Sequence, residues 1–352
     1  MAMNGWIRIV VVGALSMTAS PVWAAPSEAP RRVIIDTDPG TDDALAILLA
    51  LNSPELKVEA LTVVAGNVTT AQGLANALKL VSLAGRPDIP VAAGAQKPLL
   101  QKLVTAETHA PDGLAGISLP PARVAADARF GPDLIIELVH KYPHEITLVP
   151  LGPLTNVALA LSKDPSIAAL VKEVVLMGGA ISGGNVDAVA EFNIYVDPEA
   201  AQVVFQGGFP LTMVGLEIGR MALFRRDHLA LLQQTHGAQN DFAARVLGYL
   251  VNLCETKYGL RGAPLYDPTA MAAVIDRTLI TTQFLHVDVE LRGEFTRAET
   301  VANRQNALNR KVPRGDRLVF EGTEPLAPNT HVATDIDAER FARLLIARLA
   351  DK

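Results

Sequence analysis

The sequence predicts an α/β protein, a mainly parallel central sheet with helices on both faces. Three observations carry this reading. Short β-branched apolar runs alternate with stretches of helical period along most of the 352 residues. The strand candidates are apolar at consecutive positions, as in Val33-Ile34-Ile35 and Val174-Val175-Leu176, the pattern of strands buried on both sides. Polar residues and glycines gather just after these runs, where the loops of an open parallel sheet hold ligands.

The first run, Val33-Ile34-Ile35, stops at Asp36, Pro39-Gly40 reverses the chain, and a helix is expected from Ala44 to Leu51, closed by Asn52-Ser53-Pro54. A second buried strand, Val58 to Ala65, ends at Gly66-Asn67. Thr69 to Ala84 has helical period and Ile89 to Ala92 reads as a short strand. Gly94 to Arg129 is a connection long enough to suggest a functional loop, and it carries Thr108-His109-Ala110. Pro132 to Tyr142 is expected to be helical, with proline in the tolerant first turn. Glu145 to Leu151 is a strand, turned by Gly152-Pro153 into a helix at Val157 to Leu161. Lys172 to Met177 is the next strand; after Gly178-Gly179 its loop holds Asn185 and Glu191-Phe192-Asn193. Asp197-Pro198 starts a helix and Pro210 to Val214 forms a strand. Asp227 to Tyr258 reads as helical, Ala263 to Pro268 interrupts, and Thr269 to Val274 is helical again. Phe284 to Glu290 alternates as a half-exposed strand does. Arg292 to Asp316 is polar and irregular, and Asp337 to Leu349 is a closing amphipathic helix. No repeat or linker divides the chain, so residues 31–351 are expected to form one domain.

With 49% hydrophobic residues and a net charge of -6, the chain has ample core and no basic surface for nucleic acid or anionic lipid. A small-molecule partner fits better. Residues 1–25 form a secretory leader: Arg8 precedes the apolar run Ile9 to Leu15, and small residues follow to Ala24-Ala25. That run is shorter than the roughly 20 residues of a membrane span. The mature protein is therefore expected to be exported without stable membrane insertion, to the periplasm if the source is Gram-negative. Cys254 is the single cysteine, so no intrachain disulfide can form, and it reads as a packed thiol. No Ser or Cys nucleophile motif is present. The glycines at 178, 179, 183 and 184 lack the Lys-Ser/Thr ending of a phosphate loop.

Asp36, Asp38, Asp42 and Asp43 place four carboxylates in one tight loop. In a dehydrated crevice they repel one another unless a cation or shared protons compensate, so a metal is expected. Each aspartate alone also suits a turn or a helix cap, but one helix end needs only one cap. If the strands are neighbours, Asp36, Asp38, Asn67, the carbonyl of Leu151, Met177 and Asp267 share one crevice at their carboxyl ends. Oxygen donors without a His or Cys cluster point to Ca²⁺ or Mg²⁺ rather than zinc, and export favours Ca²⁺.

Asp36-Thr37-Asp38-Pro39-Gly40-Thr41-Asp42-Asp43-Ala44 resembles the N-terminal signature of the inosine-uridine-preferring nucleoside hydrolase family. The likeness continues through Gly66-Asn67, Gly152-Pro153-Leu154-Thr155-Asn156, Met177-Gly178-Gly179, Glu191 to Ala200 and Asp267-Pro268-Thr269. It implies a nucleoside-hydrolase-like, Rossmann-like open sheet around one Ca²⁺, and hydrolysis of ribonucleosides to ribose and free base. It implies Asp38, Asp43, the Leu151 backbone carbonyl and Asp267 as calcium ligands, with Asp38 also the general base that deprotonates a metal-bound water. Asp42, Asn67, Asn185, Glu191 and Asn193 would hold ribose hydroxyls, Met177 would lie against the sugar with Phe192 beside the site, and Asp36 would support the ligands from behind. A homodimer or homotetramer is also in keeping with the family.

Tyr266 departs from the pattern, standing where many members carry a histidine thought to assist the departing base. A phenol, with a pKa of about 10, is a weaker acid than imidazolium but can donate a hydrogen bond or stack. His109 is the other candidate for the leaving-group acid. Positive charge develops on the sugar as the bond breaks, which suits an acidic cleft, and attack by water without a covalent intermediate predicts inversion. Two other readings stay open. Tyr266 suits an exported nucleoside- or ribose-binding protein that has lost catalysis. Asp36-x-Asp38 suits a haloacid-dehalogenase-like phosphatase, which would leave Asn67, Glu191-Phe192-Asn193 and Asp267-Pro268 without a role.

Overall fold

The structure is a computed structural model that describes residues 29–303 and 326–350. The expected leader, residues 1–25, lies outside the described residues, as does the part of the polar stretch from residue 304 onward. The chain begins with β1 (Arg31–Thr37), α1 (Thr41–Leu51), β2 (Leu56–Val63), α2 (Thr70–Leu83) and β3 (Val91–Ala93). A connection with one 3-10 turn, Glu107–His109, leads to α3 (Gly131–Lys141), β4 (Thr147–Pro150), α4 (Thr155–Lys163), α5 (Ile167–Leu170) and β5 (Glu173–Met177). Then come α6 (Phe192–Val196), α7 (Pro198–Phe205), β6 (Leu211–Val214), α8 (Leu216–Met221), β7 (Leu223–Phe224), α9 (Arg226–Leu232) and α10 (Ala238–Tyr258). The last elements are β8 (Ala263–Pro264), α11 (Tyr266–Ile275), β9 (Ile280–Val289), β10 (Thr300–Asn303), β11 (Thr330–Ile336) and α12 (Ala338–Ala350).

Nine strands form one sheet in the order β10-β9-β11-β6-β5-β4-β1-β2-β3, and β7 with β8 makes a separate two-stranded ladder. Pairing is parallel from β11 through to β3, while β9 runs antiparallel to both of its neighbours. The chain winds outward from β1 through β2 to β3, then returns to lay β4 on the other side of β1. The loops leaving β1 and β4 therefore diverge, and that reversal of strand order opens a crevice at the carboxyl ends.

Successive side chains of each central strand point to opposite faces, which splits the core in two. Val33 and Ile35 join the layer built with α1, α2, α10, α11 and α12. Ile34 joins the layer built with α3, α4 and α7. Among the described residues no helix is long and apolar enough to cross a membrane.

Several boundaries differ from those the sequence suggests. α1 starts at Thr41, three residues before its apolar pattern, so Asp42 and Asp43 lie in the first helical turn. α11 starts at Tyr266, taking in Asp267 and Pro268; a proline this early costs no intrahelical hydrogen bond. The run 227–258 is two helices, because Gly237 has φ +154, which only glycine adopts without strain. Glu191-Phe192-Asn193 is not simply loop: Phe192 opens the short helix α6, capped by the Glu191 carboxylate. β11 has no counterpart in the sequence reading, since its exposed His331 and Asp335 and half-buried Thr334 mask the apolar signal.

Candidate active site

Asp36 lies inside β1, opposite Thr62 of β2 and Pro150 of β4. Its Oδ1 accepts from Thr62 Oγ1 at 2.5 Å and Asn156 Nδ2 at 2.7 Å, and its buried Oδ2 has no partner. Burial raises its pKa to about 7, against the two hydrogen bonds. Asn156 also accepts from the Ala95 N–H at 2.8 Å, so it ties Asp36 to the end of β3.

Asp38 leaves the sheet at the tip of β1. Its Oδ2 accepts from the Asn67 N–H at 2.6 Å, and its Oδ1 is buried with no partner. Glycines on two sides make room for it. A Cβ at Gly66 would overlap Asp38 Oδ2, and one at Gly152 would lie 2.6 Å from Oδ1. These positions need glycine for close approach rather than for an unusual φ.

Asp43 knits the turn. Its Oδ1 accepts from Thr37 Oγ1 at 2.5 Å and the Asp38 N–H at 3.3 Å, and its Oδ2 from the Gly40 N–H and Asn67 Nδ2, both at 3.0 Å. α11 packs along α1 and brings Asp267 to the same place. Asp42, Asp43 and Asp267 offer oxygens that lie within 4.8 Å of one another. Two helix N-termini, those of α1 and α11, thus point partial positive charge at one acidic cluster. That charge is not sufficient compensation. Burial, then the Asp43 carboxylate, holds Asp38 well above the usual carboxylate range. Burial, then Asp42, does the same to Asp267. Asp42 is raised by burial and by the Asp43 carboxylate.

Around this cluster the other expected residues fall at different depths. Glu191 accepts from the N–H groups of Asn193 and Gly179 at 3.0 Å and Ile194 at 3.1 Å, and burial pushes it up to about 7. Asn193 donates from Nδ2 to the Leu151 carbonyl at 2.8 Å and to the Met177 carbonyl and Sδ at 3.3 Å. It therefore joins the ends of β4 and β5 across the crevice. Asn185 is exposed on its loop, its Oδ1 accepting from the Phe192 N–H at 2.9 Å, and Phe192 is half-buried.

His109 sits over the start of α1, with Nδ1 3.1 Å from the Thr41 N–H and 2.6 Å from Thr41 Oγ1. A backbone N–H can only donate, so Nδ1 accepts and the ring proton is at Nε2. Tyr249 of α10 donates to the Thr108 carbonyl at 3.0 Å and pins the turn. Tyr266 is half-buried against Gly219, and burial pushes its phenol up to about 12 despite the nearby Arg220.

The donor set fits a hard divalent cation. It consists of buried carboxylates and an unpartnered Asp38 oxygen, with no thiolate or imidazole among the converging carboxylates. The convergence differs in one respect from the set implied at the sequence level: Asp42 stands within it, and Asp38 adjoins it through Asp43.

A family model for inosine-uridine preferring nucleoside hydrolases matches residues 33–343. The chain belongs to that family. Among its nucleoside hydrolase relatives, the pyrimidine-specific ribonucleoside hydrolase RihA of Citrobacter koseri is 39% identical over 320 residues, 90% of this chain and 97% of the relative. The inosine-uridine preferring nucleoside hydrolase of Crithidia fasciculata is also 39% identical, over 323 residues, 91% of this chain and 98% of the relative. Among solved structures, a plant nucleoside hydrolase superposes with a TM-score of 0.83 at 37% identity, covering 92% of this chain and 100% of that one. A purine-preferring ribonucleoside hydrolase from Gardnerella vaginalis gives 0.81 at 32% identity, covering 91% and 98%. This chain is accordingly an enzyme of the nucleoside hydrolase class. Membership removes the phosphatase reading, whose nucleophile, Asp36, is held within β1 under Thr62 and Asn156.

Other residues of this hydrolase serve the site without having stood out in the sequence. Asn156 lay within a quoted motif but had no role until its contact with Asp36 was visible. Asp197, also inside a motif, accepts from the Leu99 N–H, Thr155 Oγ1 and the Ala200 N–H, tying three segments behind the crevice. Tyr249, Glu217 and Arg220 carried no sequence signal, because their partners are loop backbone groups far along the chain.

Proposed function

We propose that this chain hydrolyses the N-glycosidic bond of ribonucleosides, with Ca²⁺ held by Asp38, Asp43, Asp267 and the Leu151 carbonyl. The observation that carries the reading is the meeting of Asp42, Asp43 and Asp267 beside an Asp38 whose Oδ1 is buried and unpartnered. When bound, the cation balances these acids, orients a sugar diol and acidifies water. Asp38 is fixed through Oδ2 by the Asn67 N–H, which leaves Oδ1 to take the proton from the attacking water. As the C–N bond lengthens, positive charge spreads over the ribose ring, and the acidic side chains of Asp42 and Glu191 stabilise it. Asn193 commits its Nδ2 to the strand ends, so its Oδ1 is the atom available to a sugar hydroxyl. Asn67 and Asn185 complete the ribose contacts, with Met177 against the sugar and Phe192 alongside. Tyr266 and His109 meet the departing base. One displacement by water inverts the anomeric carbon.

The test is release of reducing sugar and free base from uridine, cytidine, inosine and adenosine at saturating Ca²⁺, with proton NMR identifying the first anomer. Ribose of inverted configuration, lost in Asp38→Asn, is the expected result. Nucleoside binding with no ribose released would overturn the enzymatic assignment. The mature enzyme is placed outside the cytoplasm by the same proposal, and N-terminal sequencing after Ala24 or Ala25 checks it.

A further inference from the structure

Glu217 and Arg220 stand one turn apart on α8 and grip the loop after β5 through opposite chemistry. Glu217 Oε1 accepts from the N–H groups of Ile181 and Ser182, both at 2.7 Å, and from Ser182 Oγ at 2.8 Å. Arg220 donates from Nη1 to the Gly183 carbonyl at 3.1 Å and from Nη2 to the Gly184 carbonyl at 2.7 Å. One short helix thereby holds four consecutive loop residues, 181–184, by their backbones.

The next residue is Asn185. From it the loop closes back through Gly184 N–H to the Ala188 carbonyl at 3.1 Å and Asn185 N–H to the Ala190 carbonyl at 3.0 Å, and Glu191 follows. A Cβ at Gly184 would overlap the Ala190 backbone, so the closure is tight. On its other side α8 touches the far wall of the cleft. Gly219 lies against the Tyr266 ring, where a Cβ would overlap it, and the Arg220 guanidinium is beside the Tyr266 phenol. α8 is thus a strut between the loop bearing Asn185 and the residue that precedes Asp267.

We infer that Glu217 and Arg220 are positioning residues, which set the 181–187 loop against Tyr266 and so hold Asn185 at the sugar of a bound ribonucleoside. The inference rests on the nucleoside hydrolase reading and names a device that serves it. Each guanidinium hydrogen bond to a loop carbonyl is charge-assisted, and losing both frees the segment next to Asn185.

The experiment is a double-mutant cycle on the mature, Ca²⁺-loaded protein with uridine and inosine, using Arg220→Ala, Asn185→Ala and the pair. Each single variant should raise KM about tenfold, the scale of one hydrogen bond lost to the sugar, with kcat within about threefold. The double variant should be no worse than either single one, because Arg220 acts through Asn185. Arg220→Lys, which can reach only one carbonyl well, should fall between wild type and Arg220→Ala. Independently of turnover, amide hydrogen exchange across residues 181–185 should accelerate in Glu217→Ala and Arg220→Ala, with α1 and α11 unchanged. Additive effects of Arg220→Ala and Asn185→Ala, or unaltered exchange, would overturn the inference. If nucleosides bind but are not cleaved, the cycle is run on Kd, and only the enzymatic reading fails. If none binds, both fail.

Discussion

Asp36→Asn removes one ionisable group from the middle of the sheet while keeping its size. Asp36 is fully buried, with Oδ1 held by Thr62 and Asn156 and Oδ2 unpartnered. Its pKa rises from 3.8 to about 7, chiefly through burial. A group whose folded pKa lies above its unfolded one contributes stability that is fully present below the unfolded value and is lost as pH climbs through the folded value. The full loss here is about 4 kcal/mol. Asparagine can keep accepting from Thr62 and Asn156 and does not titrate. The stability difference between variant and wild type should therefore widen in the variant's favour by roughly 3 kcal/mol between about pH 5 and about pH 8.5. Urea unfolding with a chelator present, at both pH values, measures this directly, and Glu191, also pushed up to about 7, cancels because it titrates in both proteins. A difference that does not change with pH would refute the account of Asp36 as a buried, uncompensated acid.

Gly66→Ala forces a Cβ onto Asp38 Oδ2 and breaks the Asn67 N–H contact; Ca²⁺ affinity by calorimetry should fall at least about tenfold with far-UV circular dichroism unchanged. Adding Ca²⁺ to metal-free protein near neutral pH should release protons, because Asp38 and Asp267 are both raised by burial and must ionise to bind. Uptake or no change, in a weakly buffered titration, would contradict the proposed ligands. Asp197→Ala strips the acceptor from the Leu99 and Ala200 N–H groups and the Thr155 hydroxyl; a loss of roughly 2–4 kcal/mol in unfolding free energy is expected.

Much of the fold was legible because buried parallel strands advertise themselves. β1, β2, β4, β5 and β6 are short apolar runs set between turns, and each lies within a few residues of where the sequence suggests. Helix starts were harder. α1 is buried at every residue but Asp42, and α11 at every residue but Tyr266, so neither has a polar face to reveal its period. Their first turns, which carry Asp42, Asp43 and Asp267, look like loop until the helices are seen packed together. β11 escaped for the opposite reason, since its exposed polar positions dilute the apolar ones, and the small β7–β8 ladder has two residues on each side, too few for any pattern.

By itself the sequence determined the chemistry on offer: hard oxygen donors, glycines after strands, and a layered α/β scaffold to carry them. These are local properties, written in residue types and short spacings. Only the tertiary structure decided that β4 returns beside β1, that α11 lies along α1, and that Asp267 thereby reaches Asp42 and Asp43. The same holds for the glycine gaps around Asp38 and for the hold of α8 on the loop before Glu191. Such meetings depend on strand order and on the packing of both faces, which arise from contacts distributed over the whole chain and leave no mark at any one position.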